Sequence, residues 1–456
     1  MDLSLRYVRL ETHPTARSRA RATCDIPAGR CVLAVEPLTT SLIPEEKGRR
    51  CDACHVIGSK FKQLLKCSRC ASFWYCSPQC QERQWKEHHR KLCRSYNRFI
   101  SHSNFQALAA AQRVDAILLA QVIPLVFPDD NFTWPPADPS PSVGTFIDLI
   151  AKDTGLPIDM LPPLNFGKKN VPRDIVSSLF SRFGNNNFLL HSHLTSYAHG
   201  VYPLSSRLFN HSCWPNCATR YIIKSGAPVM MEIVALRDIT EGEEITIPYA
   251  DPALPYDIRQ TALQMNYGFT CTCALCTLQR DIGQFPPPPV NQEERSRLEY
   301  EICTFALPST RPAGVPAAST PELLTKLPRT LYPLLNSTYL PDISEQFSKA
   351  SHEGQYSTAL SVGRTLLALY TVLYPPNFPQ IGMHALELAK TAWNSVVTQD
   401  EGSSSPVDQP GTKKDARLYL IIARGILENF GPEGDEGGPL EEIRVLQELL
   451  DEAERT

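Results

Sequence analysis

No stretch of this chain stays apolar long enough to cross a bilayer. The best candidate, Val114 to Phe127, is broken by Asp115, Gln121 and Pro124 and falls well short of the ~20 residues a spanning helix needs. The N-terminus, Met1-Asp2-Leu3-Ser4-Leu5-Arg6, lacks the apolar core of an export signal. Membrane and secreted classes are set aside, and a soluble protein of the cytoplasm and nucleus is expected. In those reducing compartments, fifteen cysteines argue for metal ligation before disulfides. No internal repeat signature is visible either. The net charge is only −3, so no strong overall field selects a partner.

What is present points to several domains. A chain of 456 residues exceeds one ordinary core, and two to four domains are expected. The charge is unevenly spread. From Lys47 to Arg98 there are 13 Lys/Arg against 3 Asp/Glu, whereas Gly431 to Thr456 has 2 Arg against 9 Asp/Glu. A basic module can attract acidic protein or nucleic acid, or be a solvated surface with no dedicated partner.

The strongest local pattern lies within that basic window. Cys51 and Cys54 have two residues between them, as do Cys67 and Cys70. Cys76 and Cys80 have three between them, as do His89 and Cys93. Such pairs can each wrap one face of a tetrahedral zinc ion, and eight ligands make two closed, structural sites. His88, next to His89, is the alternative ligand, and the gap to Cys93 favours His89. Ser77 and Pro78 predict the N-cap and first position of a helix delivering the last ligands. With its Trp74-Tyr75-Cys76-Ser77 stretch running on to Cys80, this region resembles a MYND zinc finger. The resemblance implies interleaved pairing: Cys51, Cys54, Cys76 and Cys80 on one zinc, and Cys67, Cys70, His89 and Cys93 on the other. It also implies recognition of proline-containing peptides, or of nucleic acid through the basic face.

A second constellation follows at Leu208-Phe209-Asn210-His211-Ser212-Cys213. Glu243 to Tyr249 reads as a short alternating strand ending in a tyrosine, then come Tyr267, Phe269, Cys271, Cys273 and Cys276. These motifs, in this order, resemble the core of a SET-domain protein methyltransferase. With a MYND finger inserted, the whole chain resembles the SMYD family. That resemblance implies an S-adenosyl-L-methionine-dependent protein-lysine N-methyltransferase, acting on a histone or non-histone protein. Asn210 would hold the methionine end of the cofactor, and His211 the adenine, mainly through its backbone. Tyr249 would orient amine and methyl at the reacting centre as the catalytic residue and touch the cofactor. Phe269 would stack near the adenine, and Tyr267 would line the lysine channel. Cys213 would join Cys271, Cys273 and Cys276 around a third zinc. The family's Gly-x-Gly loop would fall at Arg17 to Ala22, with arginine at 17 and 19 in place of both glycines. Arg17 is then either solvated or paired with the cofactor's carboxylate. His191, near a family asparagine that touches the cofactor, reads as a non-catalytic histidine.

The expected fold is α+β and multi-domain: a split SET β-fold, a MYND finger, a post-SET zinc segment, and an α-helical, tetratricopeptide-like C-terminal domain. The expected boundaries are 1–50 and 94–250 for the SET portions, 51–93 for the finger, 251–280 for the post-SET segment and 290–456 for the helices. Residues 103–127 read as helical, and 132–141 as a loop. Phe285 to Val290 is a stiff, proline-rich linker. Helices are expected at about 293–307, 356–373, 380–397, 416–430 and 439–454, with a mobile loop at 399–415. A monomer without membrane attachment is expected. A second reading is a non-catalytic adapter that recruits protein or nucleic acid on a retained SET scaffold.

Overall fold

Strand pairing ignores the order of the chain. The computed structural model describes residues 5–455 apart from 14–15, 61–62, 153–160, 162–163, 167–168, 308–320, 400–408 and 436. Strand Cys31–Val35 precedes the finger, yet it pairs antiparallel with Met230–Ala235, Val35 facing Met231. Thr39–Leu42 likewise pairs with Thr195–Val201, Thr39 facing Val201. The β-fold is therefore closed by segments from both sides of the finger. Alternation drives it. In Arg19–Ala22 the arginines stay half-exposed while Ala20 and Ala22 are buried, as period-two patterning on one core face requires. Ala20, Ala22, Val35, Tyr197, Tyr221, Met231, Ile233 and Ile247 share that core.

The finger packs on the helical insert rather than standing free. Its Phe73 and Tyr75, with Tyr96 just beyond it, share a core with Val114, Leu118 and Val122 of the helix Ala110–Val126. The expected 103–127 helix is in fact divided. Leu108 and Ala109 are extended, and a short turn, Ser103–Ala107, precedes the break. Ser77 accepts the Cys80 N–H at 3.2 Å and Pro78 opens the helix Pro78–Gln84, as the cap pattern predicted.

From Gln292 onward the described residues are mostly helical. Gln292–Ala306, Tyr356–Leu373, Pro379–Gln399 and Pro439–Arg455 lie within two residues of expectation. Two findings differ. Tyr339–His352 is an additional helix, burying Tyr339, Ile343, Phe347 and Ala350; Pro341 in its first turn reads as a breaker, and Thr338 at its start makes no side-chain cap bond. The segment 409–415, expected in a loop, begins the helix Gln409–Leu427, with Pro410 in the first turn, where its missing N–H costs nothing. Residues 400–408 of that loop lie outside the described set. Gly363 lets helices cross closely: a Cβ there would stand 2.6 Å from Phe347 and 2.7 Å from Leu388. The polyproline segment is tethered by Asn336, whose Nδ2 donates to the Phe285 and Pro286 carbonyls at 2.9 and 3.2 Å.

One loop between the last two helices returns to the other end of the chain. Ile223 N–H donates to the Glu433 carbonyl at 2.8 Å, and the His193 N–H donates to the Glu433 carboxylate. Arg50, at the edge of the finger, is 8% exposed and pairs with Asp435 at 2.9 Å while lying 4.3 Å over the Tyr197 ring. Gly434 makes this approach possible. It has φ +95, and a Cβ would lie 1.9 Å from the Ile223 carbonyl oxygen, a clash no side chain can avoid.

Candidate metal centres and active site

Three sets of soft ligands converge. They are Cys51, Cys54, Cys76 and Cys80; Cys67, Cys70, His89 and Cys93; and Cys213, Cys271, Cys273 and Cys276, each with its ligand atoms within 4.8 Å of one another. Sulfurs around a tetrahedral zinc at ~2.3 Å stand roughly 3.8 Å apart. The sulfur separations of 3.4 Å (Cys54 to Cys76), 3.8 Å (Cys67 to Cys93) and 3.4 Å (Cys213 to Cys276) fit that cage. Each set can therefore hold one zinc, three among the described residues. His89, and not His88, presents Nε2 to its set, 3.5 Å from Cys70 Sγ. Its Nδ1 lies 2.6 Å from the Tyr75 hydroxyl, which donates onward to Gln84 Oε1 at 2.8 Å. With Nε2 toward the metal, Nδ1 carries the proton and donates to Tyr75, the outer-shell orientation typical of a ligating histidine. His88 is buried outside the set.

The aromatic site is built by a parallel two-residue ladder. Asn210 faces Thr246 and His211 faces Ile247, so the only regular strand in the expected 243–249 segment is Thr246–Ile247. This ladder sets Tyr249 beside His211. The Tyr249 N–H donates to His211 Nδ1 at 2.9 Å, and the Tyr249 hydroxyl donates to the Phe209 carbonyl at 2.5 Å. The helix Tyr256–Tyr267 ends at Gly268 in a left-handed cap and brings Tyr267 and Phe269 back over the ladder. Ring centroids are 4.7 Å apart for Tyr249 and Tyr267, and 6.0 Å for His211 and Phe269. The four rings form a half-buried cup. Burial holds the Tyr249 hydroxyl well above the usual tyrosine range, and the neighbouring Tyr267 adds to it. Tyr249 therefore stays protonated and donates a hydrogen bond.

Asn210 Nδ2 donates to the Ser18 carbonyl at 2.8 Å and to Glu244 Oε1 at 2.9 Å, which brings the 17–22 segment onto the ladder. Arg17 lies on the outer side, with its guanidinium 2.8 Å from the Asp148 carboxylate; Arg207 Nε is 3.5 Å from the same group. Arg19 turns to Glu11 at 3.6 Å. His191 sits on a hairpin, edge-on to Tyr221 at 5.1 Å.

Sequence reasoning missed Asp148, Arg207, Glu244 and Arg259. Arg207 precedes the Leu-Phe-Asn-His run by position alone, and Glu244 could have been sought as the outward residue of an alternating strand. Arg259 gave no signal, because an arginine on a polar helix reads as solvated charge. It is instead 0% exposed and set against the third thiol group.

The family description "SET domain" matches residues 19–250, half of the chain. The chain belongs to the SET-domain family. Histone-lysine N-methyltransferase SMYD3 of Mus musculus is 27% identical over 275 residues, covering 57% of this chain and 59% of that protein. Histone-lysine N-methyltransferase ASHR1 of Arabidopsis thaliana is 27% identical over 288 residues, with coverages of 61% and 55%. Histone-lysine N-methyltransferase SMYD1 of Homo sapiens is 24% identical over 368 residues, with coverages of 75% and 72%. The match thus spans 59% of mouse SMYD3 and 55% of ASHR1, under two thirds of either. A solved SET domain, that of LSMT bound to lysine and AdoHcy, aligns with 99% of this chain and 90% of its own at 12% identity and a TM-score of 0.24, too low to bear on the site. The chain is thus a member of the SET-domain family, similar in sequence to SMYD methyltransferases, with a mixed α+β fold, three cysteine-rich sets that could hold metal and a helical C-terminal region. Among the described residues no helix is long and apolar enough to cross a membrane.

Proposed function

We propose that this chain is an S-adenosyl-L-methionine-dependent protein-lysine N-methyltransferase acting on a histone or non-histone protein. The observation that carries this reading is the Asn210–His211 ladder, which gathers Tyr249, Tyr267 and Phe269 into one aromatic cup. When bound, the cofactor supplies a methyl group on an electrophilic sulfonium. The chain's own work is positioning and desolvation, the main contributions to an in-line displacement. Asn210 and the backbone of His211 would hold the methionine and adenine ends, with Phe269 beside the adenine; Arg17, paired with Asp148, would reach the carboxylate only by leaving that pair. Tyr267 lines the channel for the lysine side chain and excludes water from its amine. The protonated Tyr249 hydroxyl aligns the amine and cannot itself be the base, because burial opposes its ionisation.

The proposed division is 1–50 and 94–250 for the SET portions, 51–93 for the finger, 251–280 for the post-SET segment and 290–456 for the helices. The finger recruits partners, through proline-containing peptides or nucleic acid on its basic face, and the monomer works in cytoplasm and nucleus. One observation favours the adapter reading: Arg17 is already committed to Asp148. The experiment is methyl transfer from labelled S-adenosylmethionine to lysate protein and core histones, with zinc content measured alongside. Transfer that falls sharply in Tyr249→Phe and Asn210→Ala supports the enzyme. Silence from a zinc-replete wild type in both substrate pools supports the adapter.

A further inference from the structure

The side chain of Arg259 is fully buried, and every N–H it owns is used. Nε donates to Cys213 Sγ at 3.2 Å, and one terminal nitrogen donates to Cys276 Sγ at 3.8 Å and to Gln279 Oε1. The other terminal nitrogen donates to the Pro252 carbonyl at 3.1 Å and to the Leu254 carbonyl. Five donors meet five acceptors. A guanidinium is the one side chain with that fixed fork; an ammonium has three donors on a compact head.

Two of the acceptors are thiols of the third metal set. Four thiolates around a divalent ion leave a net charge of about −2, costly to bury without a cation beside it. Arg259 halves that charge. Cys213 also has a second partner, His211 Nε2 at 3.1 Å. Because the Tyr249 N–H is aimed at Nδ1, Nδ1 must be the acceptor, and the ring proton sits on Nε2, donated to Cys213. One sulfur thus receives the guanidinium from one side and the imidazole of the aromatic cup from the other.

We propose that Arg259 is a positioning residue: it neutralises the four-cysteine site, fixes the Cys213 sulfur, and through it sets the tautomer and orientation of His211 and the backbone of Tyr249. Only the last link, from His211 to cofactor binding, rests on the proposed function.

The test compares zinc-loaded wild type with Arg259→Met and Arg259→Lys. Zinc release to a chelator and site-resolved thiol alkylation are followed, with the seven finger cysteines as internal reference. In Arg259→Met the third zinc is held about 10–100-fold more weakly, the usual scale for removing an outer-shell partner, and leaves faster, while two zincs stay. Cys213 and Cys276 are alkylated ahead of Cys271 and Cys273, because they lose the N–H donors that damp sulfur nucleophilicity. Arg259→Lys keeps the charge and loses the fork, giving intermediate release with Cys213 still reacting first. S-adenosylhomocysteine binding weakens in the same order. A wild-type release rate in both variants overturns the proposal, as does equal reactivity of all four thiols with the finger intact, which would make Arg259 ordinary packing. Should Arg259→Met fail to fold, wild-type Cys213 reactivity in a folded Arg259→Lys overturns it. If the wild type binds no S-adenosylhomocysteine, the proposed function fails while the metal and thiol results still decide the role of Arg259 at the zinc site.

Discussion

Glu433 makes the closing loop sensitive to pH, and its effect on stability can be worked out. The residue is 3% exposed. Burial raises its carboxyl to about 7 from 4.5, with the nearby Asp435 adding to the rise, while the His193 N–H and Arg220 act against it. The other charged or titratable groups at this node are the His193 ring, Arg50 and Glu442. A carboxyl whose folded pKa lies above its unfolded value binds its proton more tightly in the folded state. Its contribution is fully present below about 4.5 and is lost as pH rises through about 7. A shift of this size corresponds to roughly 3 kcal/mol between the two limits. Glu433→Gln keeps an oxygen to accept the His193 N–H and cannot ionise. The variant should therefore gain on wild type between pH 5 and pH 8, by up to about 3 kcal/mol. The assay is urea unfolding of both proteins at pH 5, 6.5 and 8. Taking the difference cancels other titrating groups, including the buried histidines His191 and His384, which act in the opposite sense. A stability difference that stays flat across this range would refute the reasoning, and so would one that favours wild type as pH rises.

Further tests address the site and the core. Tyr249→Phe should retain S-adenosylhomocysteine binding yet lose about 10²-fold or more in methyl transfer, the scale of removing one preorganised donor. His89→Ala should lower zinc by one equivalent per chain by elemental analysis, whereas His88→Ala should leave three. Gly363→Ala should cost about 1–3 kcal/mol by thermal unfolding, since Phe347 and Leu388 already occupy the space.

What could be read without coordinates was what depends on close neighbours in sequence. Cysteine pairs two or three residues apart, the Ser77 cap and the long apolar periodicities are local, and the structure contains those features. Tyr339–His352 escaped because Pro341, in its first turn, looks like a breaker, although Tyr339, Ile343, Phe347 and Ala350 recur at helical spacing. The Gln409–Leu427 helix was read short because Pro410 and Gly411 look like breakers outside the special position they occupy. Arg259 and Asp148 were illegible for another reason. Their surroundings come from segments distant in the chain: Cys213 is 46 positions from Arg259, and Arg17 is 131 from Asp148. No window of sequence shows whether such a charge meets water or a thiolate.

The pairing of Arg50 with Asp435 also has a meaning in time. The two residues are 385 positions apart. At translation speeds of about 5–20 residues per second, the finger edge waits on the order of 20–80 s for its partner to be made. During that interval the guanidinium of Arg50 has only its local acceptors, Glu46 and the His55 carbonyl. The finger can bind its metals early, but docking of the helical region onto it is a late, long-range event. A nascent or shortened chain ending before residue 429 would present the Arg50, His193 and Ile223 surface to whatever else is in the cell, and chaperone capture at that stage is the consequence to look for.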